Sequence, residues 1–401
     1  MTQDVVLEQE LARTIERSAG KHVLLLQDTS EIKNHYQTRA GTNLSLHPSL
    51  IVDRETGFPI GLLDCLMLER KGKQAKGEAK PRNTSVPFEH KQSKRWLNAM
   101  VRAQTLIDHG ASSVTCVADR EADIYECYAY CPQNVDFVQR ADGRRRMGRD
   151  EGRLEQLAAA LKPQGLMQLD LPSGPGRKAR VCQLEICFTQ VSMPRPARRS
   201  NQEELHALPR EIKLDLVVAR ETNPPPGQSA AMWYLLTNKR VQTLEQAIDS
   251  VLIYRQRWTI EQVFRTMKTK GFDIEASQIQ DDQPLKILAL ITLITAVRIM
   301  QMVKDRDGAA NQPLTLAFEP EDAPLLRAFN EELEGKTLKQ QNPYPPDTLA
   351  YAAWIMARLG GWNCYYGNPG PITLCRGYTE FNKTKARVGV IKKLEILSEN
   401  V

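Results

Sequence analysis

Two short apolar runs, each closed by an acid, mark the first third of the chain. His22-Val23-Leu24-Leu25-Leu26-Gln27 leads into Asp28, and Ser113-Val114-Thr115-Cys116-Val117-Ala118 leads into Asp119. Runs this short and continuous read as central strands buried on both faces. Residues 49–52 and 59–69 read as two more strands, joined at Glu55-Thr56-Gly57 into a hairpin, and residues 135–139 as a further strand. Residues before Lys21 form a short helical lead-in. Residues 93–109 place Trp96, Leu97, Met100, Val101, Leu106 and Ile107 at helical spacing. A short helix starts at Asp123, which reads as its cap. The order strand, strand, strand, helix, strand predicts a mixed sheet opened by antiparallel strands, with Asp28 and Asp119 on neighbouring strands.

The pattern changes over residues 141–238. Pro and Gly become frequent, and β-like runs occupy 181–190 and 211–219, which predicts a mostly β insertion. One long helix is then expected over 244–269, ended by Gly271. Ile253, Ile260, Val263, Phe264 and Met267 make its buried stripe. Tyr254, Arg257, Glu261 and Lys268 fall beside that stripe within an arc of roughly 60°. The remainder reads as helices at 285–303, 323–333, 348–359 and 379–397, with a proline-rich linker at 340–347. The apolar stretch 287–297 stops at Arg298, short of the ~20 residues of a membrane span, so it is expected to be a buried core helix without a membrane partner.

Composition narrows the class. Of 401 residues, 25% are charged and 41% apolar, which suits a soluble globular protein of two or three domains. The net charge of +6 is gathered in clusters: Arg144-Arg145-Arg146 with Arg149; Arg195, Arg198 and Arg199; and Lys71, Lys73, Lys76, Lys80 and Arg82. Such clusters neutralise phosphates or solvate loops, and the third reads as a solvated loop. Cys127-x3-Cys131 and Cys182-x4-Cys187 have no second pair or nearby His at zinc spacing, so the eight cysteines read as reduced packing residues. The acidic, polar amino terminus does not read as a signal peptide, and a cytoplasmic setting is expected.

Two strand-ending acids and Glu261 on a later helix form a candidate triad. Their oxygen ligands suit Mg²⁺ or Mn²⁺. Two ions about 4 Å apart clamp the attacking and leaving oxygens of a phosphoryl transfer. Taken singly, each acid has a plainer reading: a turn or cap residue for the two Asp, and a surface pair with Arg257 or Arg265 for Glu261.

Together the motifs resemble one family. Asp119-Arg120-Glu121-Ala122-Asp123-Ile124-Tyr125 resembles the DREAD signature of transposon-five-like transposases of the insertion-sequence-four family. Tyr254, Arg257, Glu261 and Lys268 match that family's Tyr-x2-Arg-x3-Glu-x6-Lys signature at every position. Asp28-Thr29-Ser30 is similar to its first-Asp motif, and Glu89, Lys94 and Trp96 resemble a further segment. Trp233-Tyr234-Leu235-Leu236-Thr237 resembles the segment holding its base-stacking tryptophan, preceded by a similar loop at Thr222-Asn223-Pro224-Pro225-Pro226-Gly227. Ala357-Arg358-Leu359-Gly360-Gly361 resembles the carboxy-terminal dimerisation region, although Asn363-Cys364-Tyr365-Tyr366 and Cys375 depart from its pattern.

The resemblance implies an RNase H-like α/β core, with Asp28, Asp119 and Glu261 as catalytic residues holding two Mg²⁺ or Mn²⁺ ions. It implies that Tyr254, Arg257 and Lys268 contact DNA phosphates. Trp233, with Trp258 beside it, would take a base swung out of the duplex, and Arg120 would lie against the DNA next to the second acid. The implied partners are double-stranded DNA, at element ends and target, and a second copy of the chain. The implied activity is cut-and-paste transposition through nicking, hairpin formation, hairpin opening and strand transfer. The expected division is a lead-in at 1–20, the core at 21–140 and 241–310, the β insertion at 141–240, and a helical dimerisation region at 311–401. Only 27 residues precede Asp28, too few for the family's amino-terminal DNA-binding domain. The alternative is therefore a shortened, non-catalytic relative that pairs with a full-length transposase and blocks it.

Overall fold

In the computed structural model the described residues are 2–33, 42–71, 86–148, 152–172, 178–197, 206–268 and 271–399. Lys73, Lys76, Lys80, Arg82, Arg149, Arg198 and Arg199 of the basic clusters lie outside them.

β1 (His22–Gln27) and β5 (Ser113–Ala118) run parallel and adjacent, with Leu26 opposite Val117. β6 (Val135–Arg140) lies parallel to β5. On the other side of β1, β3 (Thr42–Asp53) runs antiparallel and forms a hairpin with β4 (Pro59–Lys71). β2 (Ser30–Ile32) also pairs with β3, so Asp28 sits in the break between two strands that share one neighbour. Four further strands, β7 (Gly165–Leu171), β8 (Arg180–Pro194), β9 (Glu211–Glu221) and β10 (Met232–Thr237), join in an antiparallel run. β10 pairs with β6, so the residues expected as an insertion extend the core sheet. The mixed ten-stranded sheet with helices on both faces and at the carboxy terminus has the α/β class expected of an RNase H-like core.

Strand alternation sorts the two faces. Val23, Leu25, Val114 and Cys116 face a cluster that includes Trp96 and Leu97 of α2 (Lys94–Arg102) and Leu106 of α3 (Gln104–Asp108). Leu24, Leu26, Val117, Val138 and Leu235 face the other side. There they pack against α6 (Leu244–Arg255), α7 (Trp258–Met267) and α8 (Asp282–Asp305), while α1 (Gln3–Ser18) covers β4. In chain order, α4 (Tyr125–Ala129) stands between β5 and β6, and α5 (Leu154–Ala160) between β6 and β7. α9 (Ala323–Leu333), α10 (Leu349–Leu359) and α11 (Pro371–Glu399) build a third cluster around Trp354, Phe381 and Phe318. α10 and α11 touch closely: a Cβ on Gly377 would lie 1.7 Å from the Met356 carbonyl, so only glycine allows this crossing.

Three expectations are corrected. The helix expected over 244–269 is two, α6 and α7. At Gln256 and Arg257 the backbone bonds tighten to i→i+3, Gln256 to Ile253 and Arg257 to Tyr254. The 93–109 helix likewise divides at Ala103. Asp123 caps no helix; its carboxylate, almost fully buried, pairs with Arg145 at 2.5 Å and accepts the Tyr128 hydroxyl at 2.8 Å. α8 is the one described helix long and apolar enough to cross a membrane, and 61% of its most apolar window is buried within the fold. All eight cysteines are free, and six of them are buried.

Candidate active site

The parity of the strands decides what faces α7. Asp28 stands two residues beyond Leu26, Asp119 two beyond Val117, Arg140 two beyond Val138, and Trp233 two before Leu235. Each therefore projects from the α6–α8 side of the sheet. Because β1 and β5 are parallel and in register, the two acids end at the same level. Each is steadied by the chain that follows. Asp28 accepts the Thr29 amide at 2.8 Å and Asp119 accepts the Arg120 amide at 2.6 Å.

Arg257 comes down onto them from the α6–α7 turn. Its guanidinium lies 3.1 Å from Asp28 and 3.9 Å from Asp119, and it donates to Glu261 one turn along α7. Three carboxylates from β1, β5 and α7 thus share one cation. Arg140 lies 3.6 Å from the other oxygen of Asp119. Burial pushes the carboxyls of Asp28 and Glu261 above their usual range and Arg257 opposes this; the charge of Asp119 adds to the rise in both, and that of Asp28 to the rise in Glu261. Burial alone would weaken the charge on Arg257, but Tyr254, Glu261, Asp28 and Asp119 hold it more firmly protonated than usual.

Beside Arg257 and Glu261 opens a cleft of about 830 Å³, lined also by Arg140, Trp233, Tyr254 and Trp258. Trp233 and Tyr254 form its aromatic wall. Burial first, and Asp119 second, push the Tyr254 hydroxyl up to about 12, so it remains a proton donor at neutral pH. Trp258, next to Arg257 in the chain, is half-buried and lines the same cleft. Lys268 stands apart from the acids: it donates to the Glu31 carbonyl on β2 and pairs with Glu275 at 3.4 Å. Arg120 is exposed beside Asp119.

Sequence reasoning missed two cations. Arg140 closes an apolar strand on the same parity as Val138, the pattern that also singles out Asp28 and Asp119. Arg95, buried under the sheet, donates to the Thr29 hydroxyl at 3.2 Å and pairs with Glu121 at 3.3 Å, so one guanidinium links the two turns that follow the acids. Its sequence signal was its place beside Trp96, over whose ring it lies at 5.2 Å.

Three hard oxygen donors are the set that suits Mg²⁺ or Mn²⁺. Among the described residues, no three acidic, His or Cys side chains stand close enough to hold an ion as they are; the guanidinium of Arg257 lies between Asp28, Asp119 and Glu261. The donor chemistry fits the ions, with Arg257 paired to all three acids.

Residues 94–298 match the transposase DDE domain. The match covers just over half of the 401 residues and includes Asp119, Arg140, Trp233, Tyr254, Arg257 and Glu261, with Asp28 contributed from outside it. The chain belongs to the transposase DDE-domain family.

Proposed function

We propose that this transposase cuts and joins DNA by metal-dependent phosphodiester chemistry, with Asp28, Asp119 and Glu261 as the ligands of two Mg²⁺ or Mn²⁺ ions. The observation that carries this reading is the meeting of three carboxylates, from β1, β5 and α7, at one guanidinium beside an aromatic-walled cleft. Bound there, the ions would supply charge neutralisation and an activated oxygen nucleophile.

The chain's own side chains do the positioning. Arg257 and Arg140 offer paired N–H donors to phosphate oxygens, the geometry that suits a bidentate grip. Tyr254 donates its hydroxyl to a neighbouring phosphate, and Lys268 adds a point charge at the β2 edge. Trp233 and Trp258 take a base swung out of the stack, which relieves the bend that a hairpin intermediate requires. The reaction order is that of the insertion-sequence-four family: a nick, attack of the freed 3′-hydroxyl on the opposite strand, opening of the hairpin, and joining to target.

The strands of 141–240 serve this core by bringing Trp233 to the cleft. Residues 311–401 serve a synapse of two copies; Val390 and Ile391, exposed on α11, suit that contact. The setting is the bacterial cytoplasm, at the nucleoid. The test is cleavage of candidate element-end DNA by the purified chain with Mg²⁺. Cleavage by the wild type and none by a folded Glu261→Ala variant supports the reading; nicking of the same DNA by Glu261→Ala rejects the triad.

A further inference from the structure

One guanidinium stands where the proposed function requires divalent ions. Arg257 is within 4 Å of all three acids, its side chain is 13% exposed, and it also lines the cleft. We infer that Arg257 is the resident counter-ion of Asp28, Asp119 and Glu261, that it must leave them before a divalent ion loads, and that a DNA backbone phosphate is what draws it away. This rests on the metal-ligand reading above and adds its regulation.

The argument is electrostatic. Without Arg257, three carboxylates would stand together, half-buried, and the other cations paired with them among the described residues, Arg140 at 3.6 Å and the exposed Arg120 at 4.0 Å, reach Asp119 alone. Like charges so close are costly unless a cation joins them. A guanidinium and a hard divalent ion answer the same need and cannot fill the same space. Ion binding and the Arg257 contact are therefore alternatives. Arg257 has five N–H donors in a planar fork, and a phosphate offers it the same oxygen geometry as a carboxylate. It sits on the turn between α6 and α7 rather than inside either helix, and its side chain already borders the space that DNA would enter.

A phosphate in that cleft competes with the acids for Arg257. Each contact it gains is one the acids lose. DNA binding and ion binding are thereby positively coupled, and by linkage each tightens the other equally. The chain without DNA holds its acids partly neutralised by its own side chain and loads ions weakly. This confines phosphodiester cleavage to bound DNA.

The test needs no DNA. Free Mn²⁺ is followed by electron paramagnetic resonance as it is titrated into the full chain at neutral pH. Wild type, Arg257→Gln and Arg257→Lys are compared, each with and without Asp119→Asn, after circular dichroism establishes folding. Arg257→Gln is expected to bind Mn²⁺ about ten-fold or more tightly than wild type. Arg257→Lys should fall between, since a point charge reaches fewer of the acids, and Asp119→Asn should weaken binding in every background. Saturable binding in Arg257→Gln alone also supports the inference. Equal or weaker binding in Arg257→Gln, still dependent on Asp119, overturns the counter-ion role and leaves the ligand assignment standing. Binding in no variant, or binding indifferent to Asp119→Asn, overturns the ligand assignment and the counter-ion role together. Should Arg257→Gln fail to fold, Arg257→Lys carries the same comparison.

Discussion

Trp233 and Tyr254 meet edge to face, with ring centroids 5.1 Å apart and planes at 68°. One comes from β10 and the other from α6, so the contact joins sheet to helix at the wall of the cleft. Such a pair contributes about 0.5–1.5 kcal/mol beyond its buried area. Trp233→Ala removes both the wall and the stacking platform. Affinity for a duplex carrying an unpaired base is expected to weaken by about 1–3 kcal/mol, and affinity for a fully paired duplex by much less. Fluorescence anisotropy with the two duplexes measures the difference; an equal loss on both rejects a base-stacking role.

Asp119→Asn and Glu261→Gln preserve shape and remove one carboxylate charge each. Each is expected to lower Mg²⁺-dependent cleavage on the order of 10²–10³-fold or more. DNA affinity measured in Ca²⁺ should stay near wild type. Loss of affinity as large as the loss of cleavage would place these acids in binding rather than chemistry.

His47 sets a pH limit on the fold. Its ring is buried against Trp96 at 4.5 Å and shares the Thr29 hydroxyl at 2.9 Å. Burial, with Arg95 nearby, lowers it from 6.5 to about 3. Between those values the unfolded chain binds a proton that the folded chain refuses. Stability is therefore full above pH 6.5 and falls as pH drops toward 3, by up to about 1.4 kcal/mol per pH unit from this residue. Urea unfolding from neutral pH down to pH 4.5 should show a steeper loss in wild type than in His47→Gln.

Asp123 holds the loop after Asp119. It pairs with Arg145 at 2.5 Å and accepts the Asp142 amide at 2.9 Å and the Tyr128 hydroxyl at 2.8 Å. Asp123→Ala strands a mostly buried guanidinium, and a loss of about 3–5 kcal/mol is expected. Chemical denaturation reads it directly. A loss under about 1 kcal/mol would mean that water replaces the carboxylate at this depth.

The strands that carry the acids were legible because burial on both faces leaves an unbroken apolar run that ends abruptly at a charge. The helices of the carboxy-terminal half were legible from their 3.6-residue spacing; 323–333 was read with the bounds of α9. What escaped was set by tertiary contact. The division at Gln256 leaves the apolar stripe of Ile253, Ile260 and Phe264 unbroken, so periodicity shows one helix where the backbone makes two. Asp123 looks like a cap in sequence because the arginine it pairs with lies 22 residues away. Arg140 and Arg95 have no motif of their own and gain meaning only beside Asp119 and Thr29. β8 and β9 were legible as the β-like runs 181–190 and 211–219, while β7 and the joining of β10 to β6 were not, since nothing local specifies which edge β10 meets.

The parallel pairing of β1 with β5 has an evolutionary corollary. An added residue within His22–Gln27 would leave every signature letter intact, yet the pleat would turn the Asp28 carboxylate toward Trp96 and away from Glu261. Homologues with lengthened or shortened first strands should therefore be sterile copies even when a motif search scores them as whole.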